Sequence, residues 1–272
     1  MRIGKQDGNR TAIATSDAEH ITIRGLDLCG DLIGKIGFTE YFFFLVTGQR
    51  PTELQRFFTD AVLIAIAEHG LVPSVQAARM TLAAAPEAVQ GAIAAGLLGM
   101  GTVVAGSSEV AGRYVVDLIE KSKATGRNYE EVATESLREL KALRSKVPGI
   151  GHPQHSGGDP RADVLMALAD EKGISAEHVL MIRTVARLAP GIIGRPLPIN
   201  VSGAIPVVML DVGYPLAAIK GLPILARTAG LIAHLYEETM RPIGFIMSNH
   251  ADLAIEYDGR PSRFAGREAS RG

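Results

Sequence analysis

The sequence has no tryptophan and a single cysteine, Cys29. One cysteine excludes an intramolecular disulfide framework and a cysteine-rich zinc module. Cys29 reads instead as a small buried side chain. Aromatic residues make up only 5% of the chain, so aliphatic and small side chains must fill the core. An excess of one charge sign is also lacking: 28 Lys and Arg stand against 29 Asp and Glu, for a net charge of −1. That argues against a nucleic-acid platform, which needs a basic excess, but leaves room for a local cationic pocket. The first residues, Met1-Arg2-Ile3-Gly4-Lys5-Gln6-Asp7, lack the apolar stretch of a signal peptide. The longest uncharged run, Ala88 to Ser108, is long enough to span a membrane. Gln90 and glycines 91, 96, 99, 101 and 106 interrupt it. It therefore reads as a buried core helix, and the chain as a soluble cytoplasmic protein.

What the sequence does contain is helical periodicity. Apolar residues reach 47%, enough for a substantial core. Only Ala12 to Arg24 reads as strand, with His20-Ile21-Thr22-Ile23-Arg24 alternating. A short helix from Phe38 to Val46 should stop at Gly48. Thr52 and Gln55 form a capping box that opens a helix to Glu68. Pro73 to Ala84 follows, and Pro86 opens the Ala/Gly-rich helix. Asn128 with Glu131 caps a charged helix to about Lys146. Pro160 to Glu171, Ser175 to Leu188, Gly203 to Val212 and Pro215 to Glu238 complete a mainly α chain of roughly nine helices. Two Gly/Pro-rich stretches interrupt them, Val147 to Pro153 and Pro190 to Gly203. Long irregular loops in a compact domain are often functional. The Arg-bearing tail from Tyr257 reads as a frayed terminus, or as an arm reaching a neighbouring subunit.

Most chemical signatures are missing. His152 and His155 stand three apart with no cysteine nearby, so no metal site is expected. No GxSxG elbow exists. The glycines at 99, 101 and 106 lack the spacing and the preceding strand of a dinucleotide loop. Three clusters remain. They are Glu68-His69-Gly70, then Gly149-Ile150-Gly151-His152 with Asp159-Pro160-Arg161, then Arg227 to His234 followed by Arg241-Pro242. Several Arg and His converging on one cleft would grip carboxylates. Taken singly, each has a purely structural explanation: Arg227 could pair with Glu237 or Glu238, and His69 could cap a helix.

In this order the clusters resemble the citrate synthase superfamily, especially its short citryl-CoA lyase branch. Thr22-Ile23-Arg24-Gly25 is similar to the early strand of that family. Glu68-His69-Gly70-Leu71 through Arg79 is similar to the segment bearing its first active-site His. Pro148-Gly149-Ile150-Gly151-His152 with Asp159-Pro160-Arg161 resembles its CoA-binding loop and second substrate His, and Ala226 to Gly230 its carboxylate-binding Arg helix.

The resemblance implies an almost all-α fold, with a large domain of residues 1–106 and 202–272 and a small domain of 107–201. It implies a CoA-thioester carbon–carbon lyase acting on citryl-CoA or a related hydroxy-carboxy acyl-CoA. The partners implied are a small acyl-CoA and a polycarboxylate, with no nucleic acid, no membrane and a homodimer. No tightly bound cofactor or metal is implied; the CoA thioester is the substrate. His69, His152, Arg161 and Arg227 match positions that hold the oxaloacetate or citryl moiety, and Arg241 matches an Arg lent across the dimer. Pro148, Gly149, Ile150 and Gly151 match the CoA adenine loop. Two departures stand out. The family's enolate-stabilising His is Val104 here, and its catalytic Asp, which follows an Asn-Val pair, is Ser202 after Asn200-Val201. Catalysis would then fall to His152, His69 and Ser202, with Asn200, Glu109 or a water as other stand-ins for the missing acid. The alternative reading is a non-catalytic homologue that binds CoA or a polycarboxylate, or partners another subunit.

Overall fold

A computed structural model describes residues 10–101, 106–151 and 157–260. Where a single strand was expected, a small antiparallel sheet forms: β1 Ala14–Ser16, β2 Ile21–Ile23 and β3 Leu26–Asp27, in order β1-β2-β3. Arg24 and Gly25 both have positive φ, 49° and 89°, at the tight turn between β2 and β3. That turn matches the twist of the strands, and Gly25 fits it at no steric cost. Arg24 is compensated by its side chain, which donates to the carbonyls of Leu45 and Val46 at the end of α1.

Helices account for most of the rest. α1 is Phe38–Thr47, closed by Gly48 in the left-handed region. α2 is Glu53–Ala67, opened by the Thr52–Gln55 capping box. α3 is Pro73–Ala84 and α4 is Val89–Leu98. α5 is Ser107–Thr125 and α6 is Tyr129–Ala142, with Asn128 and Glu131 as its capping box. α7 is Pro160–Glu171, α8 is Glu177–Ile193 and α9 is Val201–Asp211. α10 is Gly221–Met240 and α11 is Gly244–Ala254.

Several boundaries differ from expectation. The uncharged run 88–108 is not one helix: α4 ends at Gly99 and α5 starts at Ser107. α8 runs on through Pro190, which gives up one backbone bond near the helix end and continues to a left-handed Gly194. α11 was not foreseen, because its apolar residues Phe245, Ile246 and Leu253 are exposed rather than gathered on a buried stripe. Cys29 is exposed, not buried, in a short helical turn at 28–32. Among the described residues, one stretch, 216–240, is long and apolar enough to cross a membrane.

The chain divides into two compact units. One comprises residues 1–69 and 100–230, the other 70–99 and 231–272. In the first, α2, α5, α6, α7, α8 and α9 surround a core that includes Phe58, Val62, Val115, Leu137, Leu165, Ile182 and Ile205. α9 lies at its centre, with eight buried residues from Val201 to Met209. In the second unit, Val75, Ala78, Leu82, Ala92, Leu231 and Leu235 form a separate core. Gly244 permits α11 to approach α3, since a Cβ there would meet Ala83 and the Arg79 carbonyl. α10 begins in the first unit and ends in the second.

Candidate functional site

Three consecutive residues at the start of α9 organise the site segments of the first unit. Asn200 caps the helix, its Oδ1 accepting from the Gly203 N–H at 3.1 Å. Its Nδ2 donates to the Gly151 carbonyl at 2.6 Å, and its backbone N–H to the Gly149 carbonyl at 3.1 Å. The Gly151 N–H in turn donates to Pro198, and Ile150 pairs antiparallel with Ile199. Gly149 and Gly151 sit at φ 80° and 79°, where a side chain would be strained. Gly203 has no room for a Cβ against the Gly149 carbonyl. The Gly149–Gly151 loop is thus laid directly on the first turn of α9.

Val201 ties down a second segment. Its N–H donates to Asp159 Oδ2 at 2.9 Å. Asp159 is fully buried, caps α7 and grips the guanidinium of Arg161 with both oxygens, at 3.0 Å to Nε and 2.9 Å to Nη2. Burial pushes the Asp159 carboxyl up, but Arg161 and the Val201 N–H outweigh it and hold it below its ordinary value. Arg161 therefore has one edge occupied by an internal partner.

Ser202 engages a third segment, its hydroxyl 2.8 Å from that of Ser107 at the first position of α5. Glu109, one of the stand-in acids, faces Arg113 on its own helix at 3.5 Å.

Arg227 differs from Arg161. It is 6% exposed, on the part of α10 belonging to the first unit, and its Nη1 has no hydrogen-bond partner among the described residues. Burial pulls this guanidinium below its usual pKa, Glu68 opposes that, and Arg161 adds to it. Arginine stays charged under such shifts. Glu68 ends α2, and its Oε1 accepts from the His69 N–H at 2.7 Å. Gly230, one turn beyond Arg227, lets α10 run against the last carbonyl of α2, and a Cβ there would lie 3.2 Å from Glu68 Oε2. Glu68, His69, Arg161 and Arg227 are therefore gathered in one unit.

Arg241 lies in the second unit and is exposed, 3.7 Å from Glu237. The pairing of Arg227 with Glu237 or Glu238 does not form. Those acids belong to Arg79, which sequence reasoning had not singled out. Arg79 Nε meets Glu238 at 2.6 Å with both side chains buried, and Nη1 meets Glu237 at 2.9 Å. Glu238 also accepts from the Ile243 and Gly244 N–H groups that open α11. This buried pair staples α3, α10 and α11, and no local pattern reveals partners 159 residues apart. His152 and Val104 lie outside the described residues. Among the described residues no group of three or more His, Cys, Asp or Glu could hold a metal.

The buried carboxylates carry a pH dependence. Asp211 accepts from three backbone N–H groups at the start of α8 and from His178 at 2.7 Å, and these outweigh burial to hold its pKa down. A carboxylate depressed on folding contributes stability above its unfolded value, near 3.9, and loses it as pH falls through the folded value. The melting temperature should be flat above about pH 5 and fall on acidification below about pH 4. Asp211→Asn should melt lower at neutral pH and show a shallower acid limb in a thermal scan. An unchanged limb would discount this group.

The family model for the citrate synthase C-terminal domain matches residues 35–244. This chain belongs to the citrate synthase family. Its fold is similar to that of citryl-CoA lyase from Hydrogenobacter thermophilus, at 29% identity and a TM-score of 0.81, covering 93% of this chain and 96% of that one. ATP citrate lyase from Methanothrix soehngenii, solved with citrate and coenzyme A, matches at 23% identity and TM-score 0.75, over 96% of this chain and 43% of that chain. Citrate synthase from Thermotoga maritima matches at 20% identity and TM-score 0.64, over 84% of this chain and 59% of that one. The last two likenesses show the fold alone. No curated protein matches the sequence. The mainly α, citrate synthase-like architecture expected from the motifs is therefore correct.

Proposed function

We propose that the protein is a carbon–carbon lyase of citryl-CoA lyase type. It would split citryl-CoA, or a related hydroxy-carboxy acyl-CoA, into acetyl-CoA and a 2-oxo acid. The observation that carries this reading is Arg227: a buried guanidinium whose Nη1 has no hydrogen-bond partner among the described residues, and which feels the charges of Glu68 and Arg161. A buried guanidinium nitrogen left without a hydrogen bond costs free energy, and a substrate carboxylate would recover it. The likeness to citryl-CoA lyase over nearly both chains supports the choice of reaction class.

The chemistry needs a base for the tertiary hydroxyl. The alkoxide electrons then form the carbonyl as the C–C bond breaks, leaving a thioester enolate that takes a proton on carbon. We assign His152 to the hydroxyl, His69, Arg161 and Arg227 to the carboxylates, and Pro148 to Gly151 to the CoA moiety. Ser202, which follows Asn200-Val201 where the family has its catalytic Asp, is assigned to the proton transfer at carbon. We further propose that 107–201 acts as the small domain against 1–106 with 202–272.

The test is incubation with citryl-CoA, with acyl-CoA species followed by mass spectrometry. Acetyl-CoA formed by the intact protein supports the reading; intact citryl-CoA at stoichiometric protein rejects that substrate. The second reading, a binding homologue without turnover, is favoured by a hydroxyl at Ser202 that is already engaged by Ser107. It predicts calorimetric binding of citryl-CoA with no product.

The homodimer belongs to the same proposal. Ile232, Tyr236 and Met240 form an i, i+4 stripe on α10, and all are more than half exposed. Exposed apolar stripes of this kind mark interaction surfaces. Light scattering should give a dimer for the intact protein and a monomer for Tyr236→Glu. A monomeric intact protein would remove the assignment, and with it the lending of Arg241.

A further inference from the structure

We propose that Asn200 is a positioning residue for the Gly149–Gly151 loop, fixing that loop in the form that receives a CoA thioester. The identity of the ligand rests on the function proposed above; the positioning itself rests on geometry alone.

Asn200 does more than a helix cap requires. Asn, Asp and Ser cap a helix about equally well, because each needs only an acceptor for the first-turn N–H groups. In Asn200 the acceptor, Oδ1, serves the Gly203 N–H. The donor, Nδ2, is free of that duty and is spent on the Gly151 carbonyl at 2.6 Å. With the backbone N–H on the Gly149 carbonyl, one residue secures both glycine carbonyls of the loop. Both glycines adopt left-handed backbone, so the loop has several accessible conformations in isolation. An external tie must choose one. The same geometry removes Asn200 as a stand-in acid, since both ends of its amide are committed.

The capping and tying functions separate in Asn200→Asp. The carboxylate keeps the cap on Gly203, gains from the helix N-terminus, and cannot donate to the Gly151 carbonyl, which it repels. Free coenzyme A, measured by calorimetry, should bind about ten-fold more weakly. KM for citryl-CoA should rise more than kcat falls, while the melting temperature stays near that of the unmodified protein. Asn200→Ala should lose both affinity and thermal stability. Asn128→Asp is the control: Asn128 caps α6 through Oδ1 in the same way and is remote from the loop in sequence. It should leave coenzyme A affinity unchanged.

A readout without ligand accompanies these. The Gly151 amide, bonded to Pro198, should exchange with solvent at least about ten-fold faster in Asn200→Asp by NMR. Coenzyme A affinity and Gly151 exchange both unchanged in Asn200→Asp would overturn the proposal. If the unmodified protein binds no coenzyme A, the functional reading fails, and the exchange rate alone decides the positioning role.

Discussion

Arg227→Met is expected to lose turnover of citryl-CoA while melting higher than the unmodified protein. The two effects have one origin. In the free protein the Arg227 guanidinium is buried, and its Nη1 has no hydrogen-bond partner among the described residues. An unsatisfied buried polar group costs about 1–3 kcal/mol, more when charged. Methionine fills similar volume without that cost, so folding should gain. At about 2–4 °C per kcal/mol for a domain of this size, the melting temperature should rise by several degrees. Turnover should fall by about 10³, the scale set by removing a preorganised charged donor from a site. Arg227→Lys keeps the charge but not the planar fork, and should lie between. Retained activity in Arg227→Met would remove Arg227 from the site. A lower melting temperature would show that the guanidinium is already stabilised in the free protein. Arg161→Met should behave oppositely in stability. Its loss strands the fully buried Asp159 carboxylate, which then holds only backbone N–H groups.

This contrast explains what the sequence could and could not disclose. The capping boxes at Thr52 and Asn128, and the Gly48 stop, were legible because each is a contact among residues three or four apart. The order of His, Gly-loop and Arg clusters was legible as a family pattern, and Glu68, His69, Arg161 and Arg227 do share one unit. What no local pattern holds is the ownership of charges across long separations. Arg161 and Arg227 look alike in sequence, but Asp159 grips the first with both oxygens, whereas Nη1 of the second has no hydrogen-bond partner among the described residues. Arg79 looks like an ordinary helix residue, yet it takes Glu237 and Glu238 from across the chain. Asn200 reads only as part of the Gly/Pro-rich stretch before a helix at Gly203; its cap on that helix and its tie to Gly151 exist only once the two Gly/Pro-rich stretches lie side by side. Ser107 had no signal at all before its hydroxyl met Ser202.

Ser202→Asp is expected to raise the rate of citryl-CoA cleavage by about 10²–10⁴, the usual contribution of a placed general acid or base. The site is prepared for a carboxylate. Position 202 lies in the first turn of α9, where the helix dipole favours negative charge. Ser107, now 2.8 Å from the Ser202 hydroxyl, would donate to it. A serine hydroxyl titrates far above neutral pH and cannot deliver a proton to an enolate carbon as a carboxylic acid does. Ser202→Asn is the matched control, similar in size to Asp but without an acid, and should give no gain. Ser107→Ala in the Ser202→Asp background should lower the new rate by removing the donor that orients the carboxylate. The comparison also separates the two functional readings. An inactive unmodified protein that turns over once Asp is installed is a binding homologue built on an intact lyase frame. An active unmodified protein that gains from Asp is a slow lyase limited by proton transfer at carbon. An active unmodified protein indifferent to the change has its proton donor elsewhere, and Ser202 then has no part in the chemistry.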